Sequence, residues 1–141
     1  MKNKILGLVA GLSLVASATT AVAADFTGTL KKIADSGTIV IGHRESSVPF
    51  AYLDENQKPI GYSMDLCHRI VGDVEKVVGK SLDVRYVPVN PKTRLALIAN
   101  GTIDLECGST TNKLSRQEQV EYLPVTFITG TKILVRKNSG I

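Results

Sequence analysis

Hydrophobic residues along this chain recur with two spacings, and the switches between them mark its elements. Thr29 to Asp35 carries Leu30, Ile33 and Ala34 inward at helical spacing, and Ser36-Gly37 supplies the stop. Thr38 to Gly42 is a largely β-branched apolar run, the profile of a strand buried on both faces. Phe50 to Leu53 follows Pro49 as a short strand, and Asp54 to Pro59 reads as a polar turn. Ser63 to Val78 fits a helix with Leu66, Ile70, Val74 and Val77/Val78 on one stripe. Ser63 is its expected N-cap, Asp65 sits favourably in the first turn, and Gly79 ends it.

Leu82 to Val87 alternates, so it is expected as a strand with its apolar face inward. Pro88 to Pro91 breaks the chain, and Pro91 to Gly101 reads as a helix with proline in its first turn and an Asn-Gly stop. Ile103, Leu105 and Cys107 alternate with Asp104, Glu106 and Gly108, again with period two. A helix is expected to start near Leu114, and Val120 to Leu123 and Thr126 to Val135 read as two further strands. Strands alternating with helices predict an α/β layered fold with a mainly parallel sheet and right-handed crossovers. No internal repeat interrupts the pattern.

The first residues stand outside that pattern. Lys2 and Lys4 precede an apolar stretch, Ile5 to Ala16, and Ala21-Val22-Ala23 is a small-x-small cleavage pattern. Residues 1–23 are therefore expected to be a signal peptide, too short in its apolar part to span a membrane. Cleavage removes two lysines, so the net charge of +4 and the pI of 9.1 partly reflect the leader. With basic residues scattered and Trp absent, nucleic-acid binding is a poor match.

The candidate chemistry gathers in Asn100 to Arg116. Ser109, Thr110, Thr111 and Asn112 form a run of hydroxyls and an amide between a strand end and a helix start, where donors converge on a small volume. Arg116 adds a planar fork that fits a carboxylate. Arg44 follows the first buried strand, and Arg94 lies in the first turn of a helix, against the helix dipole. Each has an ordinary structural alternative: a cap and turn for the hydroxyls, a surface pair with Glu45 for Arg44, a solvated charge for Arg116. Cys67 and Cys107 are open to two readings, a disulfide in an oxidising compartment or two buried thiols. His43 and His68 are isolated and lack metal-ligand spacing, and no cofactor is implied.

Three strings together carry a family resemblance: IVIGHRESSVPF at 39–50, GYSMDL at 61–66 and DLECGSTTN at 104–112. The chain resembles the periplasmic solute-binding proteins of amino-acid ABC transporters, specifically the glutamate/aspartate-binding type, from about Leu30 to Lys137. The resemblance implies an α/β, three-layer lobe of the type II periplasmic-binding-protein kind with a mainly parallel sheet. On this reading residues 24–141 are an N-terminal lobe that stops at the crossover, with the second lobe missing. It further implies a periplasmic, monomeric binder that delivers L-glutamate or L-aspartate to an inner-membrane ABC permease. Arg116, Ser109 and Thr111 would hold the ligand's α-carboxylate, and Arg44 and Arg94 its side-chain carboxylate.

One position departs from the family pattern: Pro91 stands where a serine ligand is expected, and proline offers no donor. The competing function is enzymatic, a periplasmic dehydratase on the same scaffold acting on prephenate-like diacids, with Glu106 or His43 as acid/base. The absence of a recognisable nucleophile–base pair favours the non-enzymatic binder.

Overall fold

The computed structural model describes residues 25–140; the expected signal peptide therefore lies outside the described residues. The core is a three-stranded, wholly parallel sheet. Its central strand is β1 (Thr38–His43), flanked by a strand at Asp83–Pro88 and one at Leu105–Cys107. Three short segments, β2 (Ser46–Ser47), β3 (Ala51–Leu53) and β4 (Pro59–Ile60), form a separate antiparallel sheet. The flanking strands are β5 (Asp83–Pro88) and β6 (Leu105–Cys107). The helices are α1 (Gly28–Ser36), α2 (Tyr62–Val78), α3 (Arg94–Ala99) and α4 (Leu114–Gln117).

One face of β1 packs on the two longer helices. Ile39 and Ile41 join Ile33 of α1, Met64, Cys67 and Val71 of α2, Ala51 and Cys107 in one buried cluster. Met64, Cys67 and Val71 are the buried line of α2; Val74 of the expected stripe packs against the same core, Leu66, Ile70 and Val78 are half-buried, and Val77 is exposed. Leu30 likewise faces outward, leaving Ile33 to anchor α1. A helix crosses the twisted sheet it packs on at an angle, so its buried line need not follow its most apolar face.

Helix ends also depart from the sequence reading. Gly61, at φ 122°, is the N-cap of α2, and the amides of Tyr62 and Ser63 donate to the carbonyls of Pro49 and Phe50. A β-carbon on Gly61 would come within 2.7 Å of those same carbonyl oxygens, so the close backbone approach requires glycine. Freed from capping, Ser63 Oγ donates instead to the carbonyl of Gly108 at 2.8 Å. The helix expected from Pro91 is shorter. Asn90 Oδ1 accepts from the amides of Lys92 and Thr93 and fixes a turn there, and α3 begins only at Arg94.

A correction concerns the end of the chain. Neither Val120–Leu123 nor Thr126–Val135 is a strand; among the described residues no strand follows Cys107. Ile128, Ile133 and Leu134 are 87%, 87% and 98% exposed. Alternating apolar residues become a strand only where a neighbouring backbone completes their hydrogen bonds. This segment touches the lobe through Phe127, whose ring lies edge-to-face with Phe50 at 4.9 Å, and through Thr126, whose carbonyl accepts from Tyr62 Oη at 2.9 Å.

The cysteines resolve to the disulfide: Cys67 and Cys107 are bonded, with Cα atoms 6.2 Å apart. At the opposite end of β6, the side chain of Asp104 is 2% exposed and accepts from Lys32 Nζ and the amide of Val40. That carboxylate is structural, tying α1 to two adjacent strands.

Candidate functional site

The parallel sheet delivers its polar residues to one edge. Arg44 directly follows β1, the turn leading to Arg94 follows β5, and Gly108 to Asn112 follow β6. In α/β sheets this carboxyl edge is where ligands settle, because loops there diverge and leave a crevice. The register makes the convergence specific: His43 lies opposite both Pro88 and Cys107, so the three strands end level.

Arg94 is the focus. It is 6% exposed, and its Nε and Nη1 are buried with no hydrogen-bond partner. Burial lowers its pKa; Glu106 opposes that shift, while the cations of Arg116 and Arg44 reinforce it. A buried guanidinium with open donors beside two more cations is an arrangement that favours an anion.

The sequence offers Glu106 only as an acid/base candidate, yet it lies inside the cluster. Its Oε1 stands 4.0 Å from Arg94 Nη1, too far for a hydrogen bond, and is buried without a partner. Burial raises its pKa above the ordinary value of 4.5; Thr110 and the cations of Arg94, Arg44 and Arg116 pull it back. Thr110 Oγ1 is another buried atom with no partner. Gly108 makes room for this packing, since a β-carbon there would lie 2.5 Å from Glu106 Oε1 and 2.9 Å from Arg44 Cγ.

Arg116 is half-buried and donates through Nη1 to the carbonyl of Thr111 at 2.9 Å, and Tyr122 Oη reaches the same carbonyl at 3.3 Å. Ser109 and Thr111 are exposed beside it. The alternative reading of the hydroxyl run, a helix cap, does not hold. The N-cap of α4 is Lys113, without a side-chain capping bond, and α4 is a single turn. The loop is held instead by Ser63 on the Gly108 carbonyl and by Gln117 on Asn112. The structure therefore gathers Arg44, Arg94 and Arg116 electrostatically and places Ser109 and Thr111 on the adjoining loop. Glu106 and Thr110 join them: Thr110 belongs to the hydroxyl run itself, and Glu106 directly precedes the Cys-Gly-Ser-Thr-Thr string.

The histidines belong elsewhere. His43 is buried edge-on to Tyr86 at 6.2 Å, and His68 Nε2 pairs with Tyr86 Oη at 2.9 Å. Among the described residues, no group of three or more His, Cys, Asp or Glu side chains could hold a metal.

Comparison with known proteins agrees with the geometry. Residues 39–141 match the family model described as bacterial extracellular solute-binding proteins, family 3. A glutamate/aspartate import solute-binding protein of Salmonella typhimurium is 45% identical over 138 residues, covering 97% of this chain and 44% of that one. An L-glutamate/L-aspartate-binding protein of Pseudomonas aeruginosa is 50% identical over 122 residues, covering 85% and 40%. This chain thus spans less than half the length of those relatives. Among solved structures, a cysteine-binding protein from Campylobacter jejuni aligns at TM-score 0.58 and 28% identity, over 67% of this chain and 37% of that one. An ancestral amino-acid-binding protein described as a precursor of cyclohexadienyl dehydratase aligns at 0.56 over 65% and 38%; at 22% identity it shares the fold alone.

Proposed function

This chain belongs to family 3 of the bacterial extracellular solute-binding proteins, and from that membership we propose that it captures an acidic amino acid, L-glutamate or L-aspartate. The observation that carries the reading is the buried guanidinium of Arg94, with two nitrogens unpartnered and two further arginines beside it. A dicarboxylate taken out of water requires more than one cation, because an unpaired buried carboxylate costs several kcal/mol. Arg44 and Arg94 receive the side-chain carboxylate; Arg116, Ser109 and Thr111 receive the α-carboxylate. Arginine forks reward a carboxylate over a neutral amide, which favours glutamate over glutamine. Relatives named as glutamate/aspartate-binding proteins, at 45% and 50% identity, support the same ligand class.

Residues 1–23 then serve as the export signal, and residues 24–141 form the N-terminal lobe of a periplasmic binder that hands its ligand to an ABC permease. The dehydratase alternative has weaker support, since the dehydratase-related structure at 22% identity carries fold information only.

Calorimetric titration of the full-length protein with L-glutamate, L-aspartate and L-glutamine tests the reading. Wild type binds the acidic pair, and Arg44→Ala and Arg94→Ala both abolish binding. Unchanged affinity in either variant sinks the carboxylate assignment.

A further inference from the structure

The ligand shell proposed above has no role for Glu106, yet its carboxyl group sits within the arginine cluster. Its Oε1 is buried, lacks any hydrogen-bond partner, and lies 4.0 Å from Arg94 Nη1. The groups that face it come from four elements. Arg44 comes from the end of β1, Arg94 from α3, Arg116 from α4, and Thr110 from the loop after β6. The backbone of Gly108 closes the remaining side, and Tyr122 faces Arg94 from the segment after α4. Among the described residues, the charged groups acting on Glu106 are all cations, Arg94, Arg44 and Arg116.

We propose that Glu106 makes ligand capture proton-coupled: the carboxylate of an incoming acidic amino acid takes over Arg94, and Glu106 picks up a proton as it does so. The inference rests on the acidic-ligand reading. Among the described residues Glu106 is the nearest counter-charge to Arg94, but at 4.0 Å it leaves the donors Nε and Nη1 open. A ligand carboxylate bonded to those donors puts a second negative charge next to the first. Two carboxylates sharing one dry site do not both stay ionised, and the one left with an unpartnered oxygen, here Oε1 of Glu106, is the one that protonates. Glu106 Oε1 and Arg94 Nε and Nη1 are the unpartnered atoms this exchange requires. Burial already biases Glu106 toward its neutral form, which lowers the cost of the step. Protonated Glu106 can then donate through its O–H, to the ligand or to Thr110.

Linkage fixes the sign. If binding takes up a proton, affinity rises as pH falls, by up to about tenfold per pH unit where Glu106 titrates. The test is calorimetric titration of L-glutamate into the full-length protein at several pH values between 5 and 8. Each pH is run in two buffers of different ionisation enthalpy. The expected result is proton uptake by wild type and tighter binding at low pH. Glu106→Gln should bind with no uptake, a flat pH profile, and higher affinity than wild type at pH 8.

Binding by wild type without proton uptake, or equal uptake in Glu106→Gln, overturns the proton coupling and leaves the acidic-ligand reading standing. No binding of glutamate or aspartate at any pH overturns that reading and this inference with it. Should Glu106→Gln fail to fold, carbon-13 NMR of the wild-type Glu106 carboxyl decides. Saturating L-glutamate must raise its titration midpoint, and an unmoved midpoint refutes the coupling.

Discussion

Cys67, in the second turn of α2, is disulfide-bonded to Cys107, the last residue of β6. Gly108 follows immediately, and its carbonyl accepts from Ser63, one turn before Cys67 on the same helix. The start of the loop at 108–112 is therefore held to α2 twice, once covalently and once by a hydrogen bond. Two anchors at its first residues limit how far Ser109 and Thr111 can drift from Arg116. Affinity is lost when such groups must be ordered at the moment of binding.

Cutting this bridge should therefore cost stability first. The bond closes a separation of 40 residues, for which chain entropy gives about 4 kcal/mol. Cys67→Ala/Cys107→Ala, or reduction under native conditions, is expected to lower the urea midpoint accordingly. An unchanged midpoint would show that the denatured chain is not constrained by the bridge.

Replacing Arg94 should remove binding while leaving the fold in place. Its guanidinium has two unpartnered nitrogens and serves no structural hydrogen bond through them. Loss of one partner from a buried charge pair costs about 2–5 kcal/mol, so Arg94→Met should weaken L-glutamate binding by roughly a hundredfold or more. Arg94→Lys should recover only part of this, because an ammonium is a point charge and not a fork. Circular dichroism checks that the lobe remains folded.

Gly108→Ala tests the packing beneath the site. The added β-carbon would fall 2.9 Å from Arg44 Cγ and 2.5 Å from Glu106 Oε1, so both side chains must shift. A misplaced Arg44 is expected to lower ligand affinity roughly tenfold while the thermal midpoint changes little. A large loss of stability with intact affinity would place the strain in the backbone instead.

Stability should also vary with pH through Glu106. Its folded pKa is raised above 4.5, chiefly by burial, so the folded state holds its proton more tightly than the unfolded state does. The contribution is fully present below about pH 4.5 and is lost as pH rises through the folded value. Denaturation of wild type and Glu106→Gln from pH 4 to 8 should show the variant gaining on wild type across that window. A constant difference would contradict the raised pKa.

Phe127 should control the segment after α4. Its ring, 4.9 Å from Phe50 and 6.4 Å from Tyr62, is the principal aromatic anchor of a stretch with no regular structure. Phe127→Ala is expected to speed proteolysis between residues 120 and 135, with little effect on hydrogen exchange in β1. Equal cleavage rates would mean that the Tyr62–Thr126 hydrogen bond holds the segment alone.

The sequence by itself determined the elements whose signals are local. The β-branched run at 38–42, the alternation at 82–87 and the glycines after α1 and α2 specify backbone conformation within a few residues, and those elements form. It also pointed to Arg44, Arg94, Ser109, Thr111 and Arg116, because strand ends and turn chemistry can be read in short windows. The tertiary structure decided everything that depends on distance between remote residues. Strand order β5-β1-β6 brings three strand ends level and so turns scattered arginines into one cluster. The crossing of α2 over β6 set Cys67 within bonding reach of Cys107. Burial in that cluster, invisible in a residue's neighbours along the chain, is what raises the pKa of Glu106. Conversely, the alternation at 126–135 was legible but insufficient, because a strand's hydrogen bonds belong to its partner as much as to itself.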